Sequence, residues 1–386
     1  MRAPAFVALL TARSISWVGD GIGNVALVIY VQQLRGTGTA VGVLLLVTML
    51  PSVFAPITGV VTDRFDRRLV LLGCEVSQAV VGLVIVVWLP DLAPLLLLVF
   101  AKSIGGTIAD TTGRTALPAL VDGAELTRAN AWFGGSRQAA DVLGPLLGGV
   151  LVAVGDVRTA LAVDALTFVL AIPLLLRLPT LEPGTDEAGG GWLSDAIAGL
   201  RYLVHNRTAR ALAIGFFVLG LTAGDDVALP FLARELGSGD VGIGVLYAAV
   251  AFGLVVGFAL LALRKVELAP AAAFVGGCVV VGGGEVLTGI ASSIAIAVVF
   301  QIVRGLGTAA IDTGLQTMLQ RSVPPEMLGR VFANVFGAVG VTAALSVGVA
   351  GPVLDATSPG TVLVLSGIAA LAAAAISATL LRARPN

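Results

Sequence analysis

Charge is scarce in this chain: only 12% of its 386 residues are Asp, Glu, Lys or Arg, against roughly 25% in ordinary soluble domains. With 57% hydrophobic residues and a mean hydropathy of +0.99, it cannot cover a water-facing surface with polar groups. No block of like charge occurs and the net charge is −1, which excludes an electrostatic nucleic-acid footprint and a charged tail. The two cysteines, Cys74 and Cys278, match neither a metal-ligand spacing nor a disulfide framework, and inside apolar segments they read as small hydrophobes. The single histidine, His205, lies beside Asn206 and Arg207 in a polar stretch, so neither a metal site nor a histidine proton shuttle is expected. Serines occur without a nucleophile elbow, and neither a P-loop nor a glycine-rich nucleotide fingerprint follows a strand pattern. An enzyme and an ATP-driven pump are both poor fits. No cofactor or metal is expected.

Long apolar runs are what the chain does have. Stretches such as Val41–Val61 and Leu69–Leu89 approach or exceed the ~20 residues that cross a bilayer core as helix. Apolar segments between polar or Gly/Pro-rich breaks place twelve transmembrane helices near 5–34, 39–61, 69–89, 93–117, 134–153, 159–177, 209–235, 241–263, 270–290, 293–319, 328–350 and 360–382. The expected fold class is all-α and integral to the membrane. Even-numbered connections carry Arg64, Arg67, Arg68, Arg128, Arg201, Arg207, Arg210, Arg264, Lys265, Arg321 and Arg330, while odd-numbered ones offer Arg35, Arg158 and Arg234. That bias puts the even connections and both termini in the cytoplasm, in the cell (plasma or inner) membrane.

The longest polar stretch, about 178 to 208, contains Glu182-Pro183-Gly184 and the Gly189-Gly190-Gly191 run. It divides the chain into a six-helix bundle over 1–178, a cytoplasmic linker over 179–208 and a second six-helix bundle over 209–386. Apolar Leu193, Ile197, Leu200, Leu203 and Val204, interleaved with Arg201 and Arg207, predict a short amphipathic helix at the membrane surface.

The two halves repeat. At one ungapped offset of 202 residues (312 − 110), Asp110 meets Asp312, Lys102 meets Arg304, Gly105 meets Gly307, Thr111 meets Thr313, Leu126 meets Leu328 and Arg128 meets Arg330. Val25-Ala26-Leu27 meets Val227-Ala228-Leu229 in the same register. Apolar coincidences are cheap, but charged residues inside helices are not. A parallel repeat of six helices suits two bundles that rock about a site at the membrane midplane.

Between the second and third helices, Gly59-Val-Val-Thr-Asp63-Arg64-Phe-Asp66-Arg67-Arg68 resembles the G-x-x-x-D-R-x-G-R-R signature of the major facilitator superfamily, with Asp66 where the second glycine usually stands. Lys102-x-x-Gly105 and Arg304-x-x-Gly307 are similar to the basic motif of that family's helices 4 and 10, with lysine for the usual arginine in the first copy. In helix 5, Gly144-Pro145-Leu-Leu-Gly148-Gly149 resembles the glycine-proline motif of its antiporters, without most of the usual preceding glycines. Asp20-Gly-Ile-Gly-Asn24-Val-Ala-Leu is similar to a helix 1 pattern of drug:proton antiporters, one residue shorter between Asp and Asn. Leu117–Leu120, Ala129–Ala131 and Val163–Phe168 look like the branch that holds macrolide and siderophore exporters. The resemblance implies a cytoplasmic gate in which Arg67 pairs with the helix 4 acid Asp110, while Asp63 meets the N-terminus of helix 11.

A charge at the bilayer centre costs at least ~2.5–3.5 kcal/mol, so every retained one needs a partner or a task. Asp20 lies roughly 20 Å along helix 1, and Lys102, entering from the opposite side, reaches a comparable depth. They read either as a proton relay, with Asp20 neutral when buried and ionised when Lys102 approaches, or as a fixed structural ion pair. Adjacent Asp225 and Asp226 cannot readily both ionise, which makes one a proton site with the other turned toward Arg304; alternatively both meet outer water. Glu75, Asp141, Asp164 and Glu285 are further in-helix acids. Trp17, Asn24, Tyr30, Phe54, Asp141, Phe217, Tyr247 and Asp312 are candidates to line a substrate cavity.

The expected activity is export of an amphipathic small molecule by proton antiport, driven by the gradient, by one chain embedded in lipid without an obligatory protein partner. Import or facilitated diffusion on the same fold is the alternative. A non-transporting membrane sensor or a membrane-embedded enzyme is the rival of another class.

Overall fold

A computed structural model describes residues 3–53, 65–122, 125–181, 192–263 and 269–382. Among them all regular structure is helical: α1 Ala3–Arg35, α2 Gly38–Val53, α3 Arg67–Trp88, α4 Leu92–Leu120, α5 Leu126–Val154, α6 Val157–Leu175, α7 Trp192–His205, α8 Arg207–Leu219, α9 Asp225–Glu235, α10 Gly239–Ala262, α11 Pro270–Gly289, α12 Ile294–Ser322, α13 Pro325–Ala356 and α14 Pro359–Arg382. Among the described residues eleven spans are long and apolar enough to cross a bilayer, α8 and α9 together making one of them, and the apolar α2 is shorter. The protein is a multi-pass membrane protein. Part of the second predicted span, with Phe54, Gly59, Asp63 and Arg64, lies outside the described residues.

Helix starts follow local chemistry. Asp66 accepts from the Arg68 N–H at 2.8 Å, Asp156 from Thr159 at 2.7 Å and Asn206 from Ala209 at 2.9 Å, each relieving an amide that the first helical turn leaves unpaired. The same Asp66 carboxylate accepts from the Leu181 N–H at 3.1 Å, while Arg67 N–H donates to the Leu181 carbonyl at 3.1 Å. An acid at this motif position therefore ties the start of α3 to the segment after α6. A glycine could not do so.

Two sequence expectations are corrected. Helix α5 begins at Leu126, well before the predicted 134, because Arg128 and Asn130 are helical although they are polar. The seventh span is not one helix: a 3-10 turn over Gly220–Gly224 separates α8 from α9. Two glycines in five residues weaken helix there. The break is sealed by Ser346 of α13, whose hydroxyl accepts from the Gly224 N–H at 3.0 Å and donates to the Leu221 carbonyl at 2.5 Å. Backbone groups freed inside a membrane span have no water to turn to, so a neighbouring hydroxyl must meet them.

The chain divides into two compact units, Met1–Gly36 with Leu44–Glu187 and Ile243–Ala248, and Thr37–Val43 with Ala188–Gly242 and Ala249–Asn386. In the first, Leu9, Trp17, Leu71, Leu117, Phe133 and Leu175 form the centre of an apolar core; in the second, Leu212, Phe274, Ile311, Leu315, Val331 and Ala373 do so. Many large apolar side chains face outward, Leu97 and Val87 among them, as a lipid-facing surface requires. The amphipathic α7 lies against α13 at Gly199, its Tyr202 hydroxyl donates to the carbonyl of Ser322 at the end of α12 at 2.7 Å, and Ile197, Leu200 and Val204 stay exposed in one stripe.

Within the first unit, α1 and α5 touch backbone to backbone. A Cβ on Gly21 would lie 2.8 Å from the Gly144 Cα, and one on Gly144 would lie 3.0 Å from the Val18 carbonyl oxygen. Small residues allow this approach, and packing drives helix association in lipid. Gly21→Val is accordingly expected to destabilise the purified protein by the ~1–3 kcal/mol of an overpacked contact, read as a lower thermal melting temperature. Gly134→Ala, where the new Cβ meets open space, is expected to leave it level or raised; equal melting of both variants would contradict the contact.

Candidate functional site

In the first unit, Lys102 of α4 is the meeting point of three helices. Its ammonium contacts Asp20 of α1 at 3.3 Å and Asp164 of α6 at 2.7 Å, and lies 4.9 Å from the Phe168 ring centroid. Lys102 and Asp164 are buried, whereas Asp20 is partly accessible. Gly23 faces the Asp164 carboxylate so closely that any side chain there would occupy the acid's place.

About two turns further along α1, a second cluster is built on Arg13, which is 1% exposed. Its guanidinium meets Glu75 of α3 at 2.8 Å and Asp110 of α4 at 2.5 Å. Ser16 donates to Glu75 at 2.8 Å, the Trp17 indole N–H donates to Asp110 at 2.8 Å, and Arg137 of α5 reaches Asp110 at 3.0 Å and Asp141 at 3.3 Å. Both guanidiniums lie against the Trp17 ring, at 5.3 and 5.5 Å from its centroid, and Phe133 meets it edge-on. Cation–π attraction and charge-assisted hydrogen bonds together fix Trp17 inside the network. It is an element of that network, not a free stacking wall.

In the second unit, Arg304 of α12 takes the place that Lys102 has in the first. It contacts Asp225 of α9 at 2.6 Å and Glu285 of α11 at 2.8 Å, both acids being fully buried, and donates to Gln301 at 3.1 Å. Gln301 in turn donates to the Thr288 hydroxyl at 3.2 Å. Asp226 is the next residue of α9. Beside this cluster a cavity of about 220 Å³ is lined by Phe216, Thr222, Val281, Arg304 and Asp312 among others.

The repeat explains the cations but not the acids. Lys102 and Arg304 correspond at the 202-residue offset. At the same offset Asp164 corresponds to Ser366, Glu285 to Leu83, Asp20 to Thr222 and Asp225 to Gly23. Each half thus keeps its cation and draws the second carboxylate from a different helix, α6 in one and α11 in the other.

The remaining sequence candidates are distributed as follows. Gly144 and Gly148 pack against α1, and Pro145 and Gly149 pack against Gly244 of α10. Arg68 donates to the Leu176 carbonyl at 2.7 Å. The pairing of Arg67 with Asp110 that the motif implied is absent among the described residues, because Arg13 and Arg137 already hold Asp110. The Tyr30 hydroxyl donates to the Leu89 and Pro90 carbonyls at 2.7 and 3.0 Å and so secures a turn in which Leu89 has a φ of 45°. Asn24 and Phe217 are exposed and Tyr247 is half-buried. Sequence reasoning missed Arg13 and Arg137. Arg13 stands inside the first apolar run, and Arg137 stands four residues before Asp141, the spacing of a helical ion pair.

The sequence matches the family described as Major Facilitator Superfamily over residues 9–282. Among curated proteins, the enterobactin exporter EntS of Shigella boydii is 30% identical over 346 residues, covering 85% of this chain and 80% of that one. Macrolide efflux protein A of Streptococcus pyogenes is 24% identical over 343 residues, covering 85% and 84%. Solved structures of the same fold include a mutant of the nucleoside transporter NupG, at a TM-score of 0.83 and 13% identity over 98% of this chain and all of that one. Another is a bacterial homologue of the iron transporter ferroportin in an inward-facing state, at 0.74 and 18% identity with 98% of both chains covered.

Removing one side of a buried ion pair costs about 3–5 kcal/mol, whereas replacing both sides with apolar groups is often neutral. Lys102→Met is therefore expected to reduce folded yield and melting temperature. Adding Asp164→Leu to that variant is expected to recover most of the loss, read by size-exclusion profile and thermal melting; a double variant weaker than the single one would contradict the pairing.

Proposed function

The chain belongs to the major facilitator superfamily, a transporter family and not an enzyme family, and from that premise we propose that it exports an amphipathic small molecule across the cell membrane in exchange for protons. One observation carries this reading: each deep cluster sets a single cation against two carboxyls, Lys102 against Asp20 and Asp164, and Arg304 against Asp225 and Glu285. With every group ionised, each cluster would hold surplus negative charge among apolar helices, and a proton on one carboxyl removes it. A rearrangement that draws the cation away from one acid makes that acid bind a proton, and the return of the cation releases it. Proton occupancy and conformation are then linked, which is what antiport by alternating access requires.

The exporter names of the two curated relatives support the outward direction. Their cargoes differ, enterobactin in one and macrolides in the other, which supports an amphipathic cargo class more than any single compound. The arginine-rich even-numbered connections support cytoplasmic termini, with Arg67, Arg68 and the neighbouring motif residues at the cytoplasmic gate. Asp20 and Asp164 form the proton site of the first unit, and Asp225 and Glu285, beside Asp226, that of the second.

Reconstituted into proteoliposomes with an imposed pH gradient, the intact protein is expected to drain that gradient when a transported compound is added from a panel of macrolides, enterobactin and lipophilic cations. Asp164→Asn or Glu285→Gln is expected to slow gradient-driven flux at least tenfold while preserving substrate-for-substrate exchange, which needs no net proton movement. Equal flux with and without the gradient, unchanged in both variants, would reduce the clusters to structural ion pairs and the protein to a facilitator.

A further inference from the structure

The first and second units treat one repeated acid in opposite ways. Asp110 is enclosed by Arg13, Trp17 and Arg137, and Arg137 also holds Asp141. At the 202-residue offset Asp110 becomes Asp312, but Arg13 becomes Gly215, Trp17 becomes Leu219, Arg137 becomes Val339 and Asp141 becomes Ala343. The acid was kept, and every group that surrounds its counterpart was exchanged for a smaller apolar one.

The space follows the substitutions. Leu219, Val339 and Ala343, the counterparts of Trp17, Arg137 and Asp141, all line the cavity of about 220 Å³ on whose wall Asp312 stands. Among the described residues the Asp312 side chain has neither an ion-pair nor a hydrogen-bond partner. Arg304 lines the same cavity, but Asp225 and Glu285 already occupy its guanidinium. The charge left uncompensated in the cavity is therefore negative, and the hole beside it is apolar.

We propose that this cavity receives the cationic group of the transported molecule, an ammonium carrying apolar substituents, and that Asp312 is its counter-ion, in the position that two protein guanidiniums fill in the first unit. The apolar lining takes the substituents, and the carboxylate fixes the charged centre, as pockets with few polar groups commonly do. A cavity of this size holds the head of a larger amphipathic molecule, with the remainder extending beyond it. The inference rests on the export reading for its physiological meaning, but the binding site itself can be tested without transport.

The probe is tritiated benzyltrimethylammonium, whose charge does not depend on pH, bound at equilibrium to the full chain in lipid nanodiscs. Asp312→Asn is expected to weaken binding at least tenfold, and Asp312→Glu to restore most of it. Val339→Arg, which returns the guanidinium of the first unit, is expected to abolish binding, whereas Val339→Met, similar in bulk but uncharged, is expected to reduce it less than threefold. Thermal melting of each variant separates loss of binding from loss of fold. Failure of the intact protein to bind the probe, binding unchanged in Asp312→Asn, or equal effects of Val339→Arg and Val339→Met would each overturn the proposal. Probe binding that depends on Asp312 in a protein without proton-linked flux would instead overturn the antiport reading and leave the cation site standing. Proton-linked flux with binding indifferent to Asp312 would do the reverse.

Discussion

A cation held among apolar helices must keep carboxylates in contact, and the placement of helices around Lys102 and Arg304 follows from that constraint. Lys102 draws α1 and α6 to α4; Arg304 draws α9 and α11 to α12. Because the contacts come from different helices, a shift of any one helix changes the charge balance of its cluster. The same geometry that joins the helices also leaves one cation facing two carboxylates in each cluster. In water, ion pairs of this kind would contribute little; inside a bundle, the cost of an unpaired charge makes them decisive.

The break between α8 and α9 belongs to the same economy of polar groups. It ends one helix and begins another at Asp225, so that Asp225 and Asp226 occupy a first turn, where the amide dipoles favour negative charge. An unbroken helix would present both acids in mid-helix, without that help. Ser346 satisfies the interrupted backbone on one side and Arg304 satisfies Asp225 on the other. A carboxylate can thus be kept where the surrounding side chains are Val, Leu and Ala.

The all-helical membrane architecture was legible in the sequence because long apolar segments and a repeat at one offset are strong and independent signals. Asp20 and Lys102 could be matched in depth because helical rise converts residue number into distance along one axis, and they meet at 3.3 Å. Rotation about that axis is what the sequence conceals. Asp164 and Glu285 could be named as in-helix acids, but not as the nearest partners of Lys102 and Arg304, since an apolar helix buried on several sides gives little indication of which face meets which neighbour. Arg13 and Arg137 were overlooked because the motif supplied a ready partner for Asp110, whereas the folded chain supplies others. The 3-10 turn at Gly220–Gly224 escaped notice because a hydropathy window averages over five residues.

The mismatch between conserved cations and displaced acids also bears on descent. Had the chain arisen by doubling one six-helix ancestor, Lys102 and Arg304 would continue a single ancestral position, but Asp164 and Glu285 could not, since Ser366 and Leu83 stand at the matching places. Each acid was then gained in one copy or lost from the other after the copies separated. The two charge sites are therefore built from different helices, so a substitution that removes Asp164 or Glu285 from one copy has no equivalent position in the other.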